Sequence, residues 1–142
     1  MKYHQLKEMD IKSNGRFDTI DAFEFWCKNP DKQRGLRCVD NTVFLKRDQS
    51  LMVNDIEIGF HGDIGPNGSR GSAQNLSKLG SKMIVGHSHS PCIVDGCYQV
   101  GTSSDLNMGY NRGPSSWMTT HAIVYPDGKR TLIHVVNGKW KA

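Results

Sequence analysis

The sequence predicts an α/β (α+β) domain whose C-terminal half is rich in strands. Three observations predict it. Two stretches carry apolar residues at helical spacing, short β-branched or apolar runs recur from Val39 onward, and Asp95-Gly96 and Pro126-Asp127-Gly128 each separate two such runs in the manner of a hairpin. With 142 residues the chain is expected to form one domain, 1–142, with a variable helical and loop region over 1–50 and a motif-bearing region over 51–142.

The elements follow in order. Residues 1–16 are polar and interrupted by Ser13-Asn14-Gly15. From Asp18 or Thr19, either of which suits an N-cap, Ile20, Phe23, Trp26 and Cys27 recur three or four residues apart, so a short helix is expected up to Asn29, before Pro30. Val39–Leu45 and Ser50–Phe60 read as two strands, the second delivering His61 at its end. The glycine-rich stretch 62–71 reads as a loop. Ser72–Leu79, with a capping serine at the start and Gly80 as a stop, reads as a short helix. Met83-Ile84-Val85 is a buried strand running into Gly86-His87. Ile93-Val94 with Tyr98–Val100 forms one hairpin, and Thr119–Tyr125 with Arg130–Val136 forms another. Asn137-Gly138 offers a last turn before Trp140.

Charge and cysteine content narrow the class. Eighteen Lys and Arg against 14 Asp and Glu give +4, spread along the chain, which suits a phosphate-bearing substrate without requiring nucleic acid. No apolar run of membrane length and no signal-peptide core is present, so the expectation is a soluble, cytoplasmic protein without a membrane partner. Cys27, Cys38, Cys92 and Cys97 lack zinc-knuckle spacing and are expected to be reduced, structural thiols.

Chemistry concentrates in Gly86-His87-Ser88-His89-Ser90-Pro91 and in His61 of Gly59-Phe60-His61-Gly62-Asp63. Neutral imidazole is a common ligand for zinc, manganese and iron. Gly86 is expected to turn the backbone and Pro91 to stop any regular continuation, leaving His87 and His89 able to face one ion or two. Arg70 and Arg112 lie in glycine-rich loops where a guanidinium can clamp a phosphate. Tyr110 and Trp117 suit stacking on a base, although Trp117 reads better as a core aromatic. His4, His121 and His134 read as structural histidines.

The arrangement strand–His61-Gly62, helix, strand–Gly86-His87-Ser88-His89-Ser90-Pro91, then a strand into Gly101-Thr102, resembles the C-terminal half of calcineurin-like metallophosphoesterases. Over roughly residues 55–136 it covers the motif-bearing part. The stretch from Asp105 to Trp117 is similar to members found in bacteriophages, which would place the protein in the host cytoplasm. The resemblance implies a partial phosphoesterase sandwich with a mixed sheet, and a hydrolase cleaving a phosphomonoester or phosphodiester with a two-metal-activated water. It implies His61 and His87 as ligands of one divalent ion (Mn, Fe or Zn) and His89 as a ligand of a second; Arg70 and Arg112 are the candidate substrate-binding residues from their loop positions alone. Nucleotide or nucleic acid is among the implied substrates. The family's Asp-x-His, Gly-Asp-x-x-Asp and Gly-Asn-His-Asp/Glu motifs have no counterpart here; Asp18-Thr19-Ile20-Asp21 mimics the second by spacing but reads as a helix start. No catalytic residue is therefore assigned. The expectation is a truncated domain that depends on a missing N-terminal half or a second copy. A non-catalytic remnant or split-enzyme subunit, serving as a binding or assembly module, is the alternative, and a small zinc domain using Cys92, Cys97 and the histidines is a third.

Overall fold

The computed structural model describes residues 42–46 and 49–141, and Leu45 onward forms a unit of its own. The expected helix from Asp18, the start of the strand at Val39, and His4, Cys27 and Cys38 lie outside the described residues. Residues 42–46 carry no regular structure, so the strand expected to reach Leu45 is not formed there.

The strand expected over Ser50–Phe60 is instead a small hairpin, β1 (Met52–Val53) and β2 (Ile56–Glu57). Asn54 and Asp55 between them have φ of 49° and 61°. Both values are left-handed, and Asn and Asp tolerate them because their short polar side chains bond locally. The apolar run predicts one continuous strand, but this two-residue turn reverses it. Both residues of β2 are buried, including Glu57 at 5 % exposure. Its carboxylate accepts hydrogen bonds from the Ser50 hydroxyl, Leu51 N (3.0 Å) and Gly59 N (2.7 Å), tying down the chain on either side of the hairpin.

From β2 the chain crosses through α1 (Ala73–Ser77) to β3 (Met83–Val85), which runs parallel to β2. Helix α1 starts where Ser72 Oγ accepts the Asn75 N–H at 3.2 Å, buries Ala73 and Leu76, and is followed by Gly80 at φ 69°. β4 (Cys92–Val94) and β5 (Cys97–Gln99) form the hairpin expected around Asp95-Gly96, with β5 inserted beside β3 in parallel. The result is a mixed five-stranded sheet of order β1-β2-β3-β5-β4. Ala73, Leu76, Met83, Val85 and Cys97 make the core between α1 and the sheet, with Phe60 and Val94 packed at its margin.

β6 (Thr119–Val124), β7 (Arg130–Val136) and β8 (Lys139–Lys141) form a separate antiparallel sheet. The turn after Tyr125 closes by Gly128 N to Tyr125 O, and the one before Lys139 uses Asn137 and Gly138 at φ 52° and 71°. The two sheets are joined where Gly101 N and Thr102 N donate to Thr120 O and Met118 O. Gly101 is required there, because an added Cβ would lie 1.9 Å from Met118 O. Arg130 makes a second join: its Nη1 donates to Met83 O (3.0 Å) and Gly96 O (2.7 Å), and the guanidinium stands 4.2 Å over the Tyr98 ring. His134 is the structural histidine expected, with Nδ1 2.9 Å from Oγ1 of the buried Thr120, whereas His121 faces solvent. The described residues are thus α+β, mostly strands, with one mixed and one antiparallel sheet.

Candidate metal centre

Strands β2 and β3 are parallel, so the segments leaving their C-terminal ends emerge at the same edge of the sheet. That edge is where open α/β sheets present their ligand-binding loops. His61 follows β2 through Ile58-Gly59-Phe60, and His87 follows β3 after Gly86. The two exits are laced together by Gly86 N donating to His61 O at 3.0 Å. Gly62, at φ 101° and with its Cβ position 3.0 Å from Val85 Cβ, turns the chain away in a space and conformation suited to glycine.

The expectation that Gly86 supplies the turn is corrected. The left-handed backbone falls on the histidines themselves, His87 at φ 70° and His89 at φ 61°, while a Cβ at Gly86 would meet only ordinary contacts. Ser88 N donates to Gly86 O, which makes a tight turn centred on His87. Each such residue costs about 1–2 kcal/mol and persists only when its surroundings hold it. The holding groups are identifiable. The buried Gln99 of β5 donates its amide N–H groups to Ser88 Oγ and to Ser90 O (2.6 Å). Ser90 Oγ is 2.6 Å from Ser116 Oγ, and Met118 N donates to His89 O at 3.1 Å.

The imidazoles of His61 and His87 converge: His87 Nδ1 lies 3.2 Å from His61 Nε2, with ring centroids 5.1 Å apart and planes at 75°. Both side chains are exposed. Two nitrogens at this separation share a hydrogen bond or bind one cation; tetrahedral bonds of 2.0–2.1 Å put neighbouring nitrogens about 3.3 Å apart. The donor set therefore fits one edge of a metal site. His89 stands apart from this pair, its ring 4.4 Å from that of Trp117 at 76°, and its buried Nδ1 has no hydrogen-bond partner among the described residues. Among the described residues no three His, Cys, Asp or Glu side chains come together as a set able to hold an ion.

The two arginines part company. Arg70 is exposed, and among the described residues only its backbone is engaged, in a bridge with Ile64 and as acceptor for Asn75 Nδ2. Arg112 lines an open pocket of about 200 Å³ together with Asn111, Pro114, Ser115, Ser116 and Trp117. Trp117, expected in the core, is only half-buried and stands between His89 and Tyr110, whose centroid is 6.0 Å away. Cys97 is buried in the core, and burial together with the neighbouring Cys92 thiol pushes its pKa up to about 11 against a smaller lowering by Arg130. Cys92 is exposed on β4, contrary to the packed role expected of it, and both thiols are free. Gln99 and Ser116 belong to no motif of the sequence; a glutamine two residues after the inward-facing Cys97 of a short strand is the available signal.

No helix among the described residues is long and apolar enough to cross a membrane. No family model matches the chain, and no solved structure matches it. A curated relative, "Protein A1" of Escherichia phage T5, is 49 % identical over 105 residues, which are 74 % of this chain and 19 % of that protein. The chain is therefore similar to a bacteriophage protein and spans about a fifth of its length.

Proposed function

We propose that the chain carries the histidine side of a two-metal phosphoesterase centre of the calcineurin-like type, serving hydrolysis of a phosphomonoester or phosphodiester. The observation that supports this most is the convergence of His61 and His87 to 3.2 Å at the C-terminal edge of two parallel strands. In this reading the mixed sheet and the β6–β8 sheet are parts of the family's sandwich. His61 and His87 hold one divalent ion and His89 offers its nitrogen toward a second; imidazole ligands suit zinc, manganese and iron. When bound, such ions activate water and clamp phosphoryl oxygens. This chain's residues orient the ligands: Gln99 and Ser88 fix the loop between His87 and His89, and Arg112 with Arg70 would meet substrate phosphate. The carboxylate ligands would come from another segment or chain. A second reading, a non-catalytic or split-enzyme module, is favoured by the lack of a third ligand near His61 and His87 among the described residues.

Calorimetric titration with zinc and manganese, alongside cleavage of bis-p-nitrophenyl phosphate, tests this reading. Metal binding weakened at least tenfold by His61→Ala and by His87→Ala, and untouched by Cys92→Ser, is expected. Manganese-dependent turnover by the chain alone makes it an enzyme in its own right; binding without turnover makes it one part of a split centre. Binding unchanged in both histidine variants, or lost in Cys92→Ser, overturns the assignment.

A further inference from the structure

We propose that the pocket beside Trp117 is a subsite for one nucleoside phosphate unit, with the guanidinium of Arg112 on the phosphate and the Trp117 ring, flanked by Tyr110 outside the pocket, against the base. As a statement about substrate class it rests on the phosphoesterase reading above; as a statement about what the pocket binds it stands on its own lining.

The pocket holds about 200 Å³. That is below the roughly 300–1,000 Å³ of sites that enclose a drug-sized molecule, and equals the share of about seven waters. A single flat ring with a charged group at the rim fits such a space, and an extended ligand would leave most of itself outside. Of its polar lining, most is already spent on the loop. Asn111 Oδ1 accepts from Met108 N, Ser115 Oγ accepts from Trp117 N, and Ser116 Oγ is paired with Ser90 Oγ. Arg112 differs: no hydrogen bond or ion pair of its guanidinium occurs among the described residues. By contrast, the guanidinium of Arg130 is spent on two carbonyls and the Tyr98 ring. A free planar fork at the edge of a pocket selects an oxyanion that accepts two hydrogen bonds, above all a phosphate.

The aromatic side selects the other half of the ligand. Tyr110 is 68 % exposed although large and apolar in body, and its ring meets Trp117 at 69°. Stacking of a base on such rings contributes about 1–3 kcal/mol and tolerates any base, since every base has a π-face. The pocket is also coupled to the histidine loop. Trp117 touches the His89 ring, Ser116 the Ser90 hydroxyl, and Met118 N the His89 carbonyl, so a ligand seated there lies beside His89. Free nucleotides and single-stranded nucleic acid both present this unit.

Tryptophan emission of the full chain, titrated in EDTA with 5′-AMP, adenosine, inorganic phosphate and a short single-stranded oligothymidylate, tests the pocket without involving metal. AMP should quench emission and bind at least fivefold more tightly than adenosine or phosphate alone. Arg112→Ala should weaken AMP about tenfold and leave adenosine unchanged. Trp117→Phe should abolish the quench, which separates it from Trp26 and Trp140, and unchanged urea unfolding of both variants would show that the fold is intact. An oligonucleotide binding tighter than AMP assigns the site to nucleic acid, and one binding no tighter assigns it to free nucleotides. No AMP binding at millimolar AMP, AMP and adenosine binding equally, or a quench that survives Trp117→Phe overturns the proposal. Because the titration contains no metal, its failure leaves the metal-site reading untouched, and the loss of metal binding leaves this result standing.

Discussion

Glu57 is a charged side chain on a strand that buries both of its residues. Burial pushes its carboxyl pKa up, but the Ser50 hydroxyl and the backbone N–H groups of Leu51, Gly59 and Ile58 outweigh this and hold it below the ordinary value of 4.5. A depressed folded-state pKa contributes stability that is present above 4.5 and is lost as pH falls through the folded value. In Glu57→Gln one oxygen remains for Leu51 N and Gly59 N, and the amide faces Ser50 in place of the second oxygen. The expected cost at neutral pH is about 1–2 kcal/mol. Urea unfolding of both proteins at pH 7 and at pH 3 checks this: the gap should narrow on acidification, and a gap equal at both pH values would refute the charge-specific role. The histidines are the opposite kind of residue. His87 and His89 take a backbone conformation that destabilises, and their surroundings, not their own preferences, keep them there.

The loop from Gly86 to Pro91 shows what those surroundings are. Gln99 uses both amide hydrogens to span Ser88 and Ser90, bracketing His89. Gln99→Leu keeps the side-chain volume and removes both donors, so β5 should remain while the loop relaxes. We expect cobalt(II) binding at His61 and His87 to weaken about tenfold with a changed visible spectrum, and the unfolding midpoint to move far less than it does in Leu76→Ala. A spectrum identical to that of the wild-type chain would reduce Gln99 to packing. How much of this was legible from sequence differs by element. Helix α1 was, because Ser72 and Gly80 are local signals that act through the backbone atoms next to them. The Asp95-Gly96 and Pro126–Gly128 hairpins were, for the same reason. The β1–β2 hairpin was not, since Asn54-Asp55 sits inside an apolar run whose continuity suggested one strand. The strain at His87 and His89 was not either: it is imposed by Gln99, Ser116 and Met118, which are distant in sequence. The pairing of His61 with His87 was foreseen only through family resemblance, because 26 residues separate them and only the parallel β2–β3 crossover brings them together.

At the scale of the whole molecule, two sheets have to act as one support for the loops between them. The core under α1 is small, and large apolar side chains such as Met52, Ile93 and Trp140 remain at least half exposed. Polar joins therefore carry much of the connection between sheets. Arg130 is the strongest of them, since it reaches from β7 to the carbonyls of Met83 and Gly96 and covers the Tyr98 ring. Those carbonyls belong to the β3 and β4–β5 ends opposite the histidine loop, so the join steadies the sheet without touching the candidate site. Arg130→Met retains much of the apolar stem and leaves both carbonyls without this donor. The expected loss is about 2–3 kcal/mol, for two hydrogen bonds donated by one Nη1 and the ring contact, which do not add in full. Lys129→Ala is the matched control, because its ion pair with Asp127 is on the surface, where such pairs contribute little. Urea unfolding followed by tryptophan emission and by far-ultraviolet circular dichroism distinguishes two forms of the result. A lower midpoint with coincident transitions means that the sheets still unfold together, and separated transitions mean that Arg130 is what couples them. A midpoint for Arg130→Met no lower than that of Lys129→Ala would show that the joins at Gly101 and Thr102 suffice to unite the sheets.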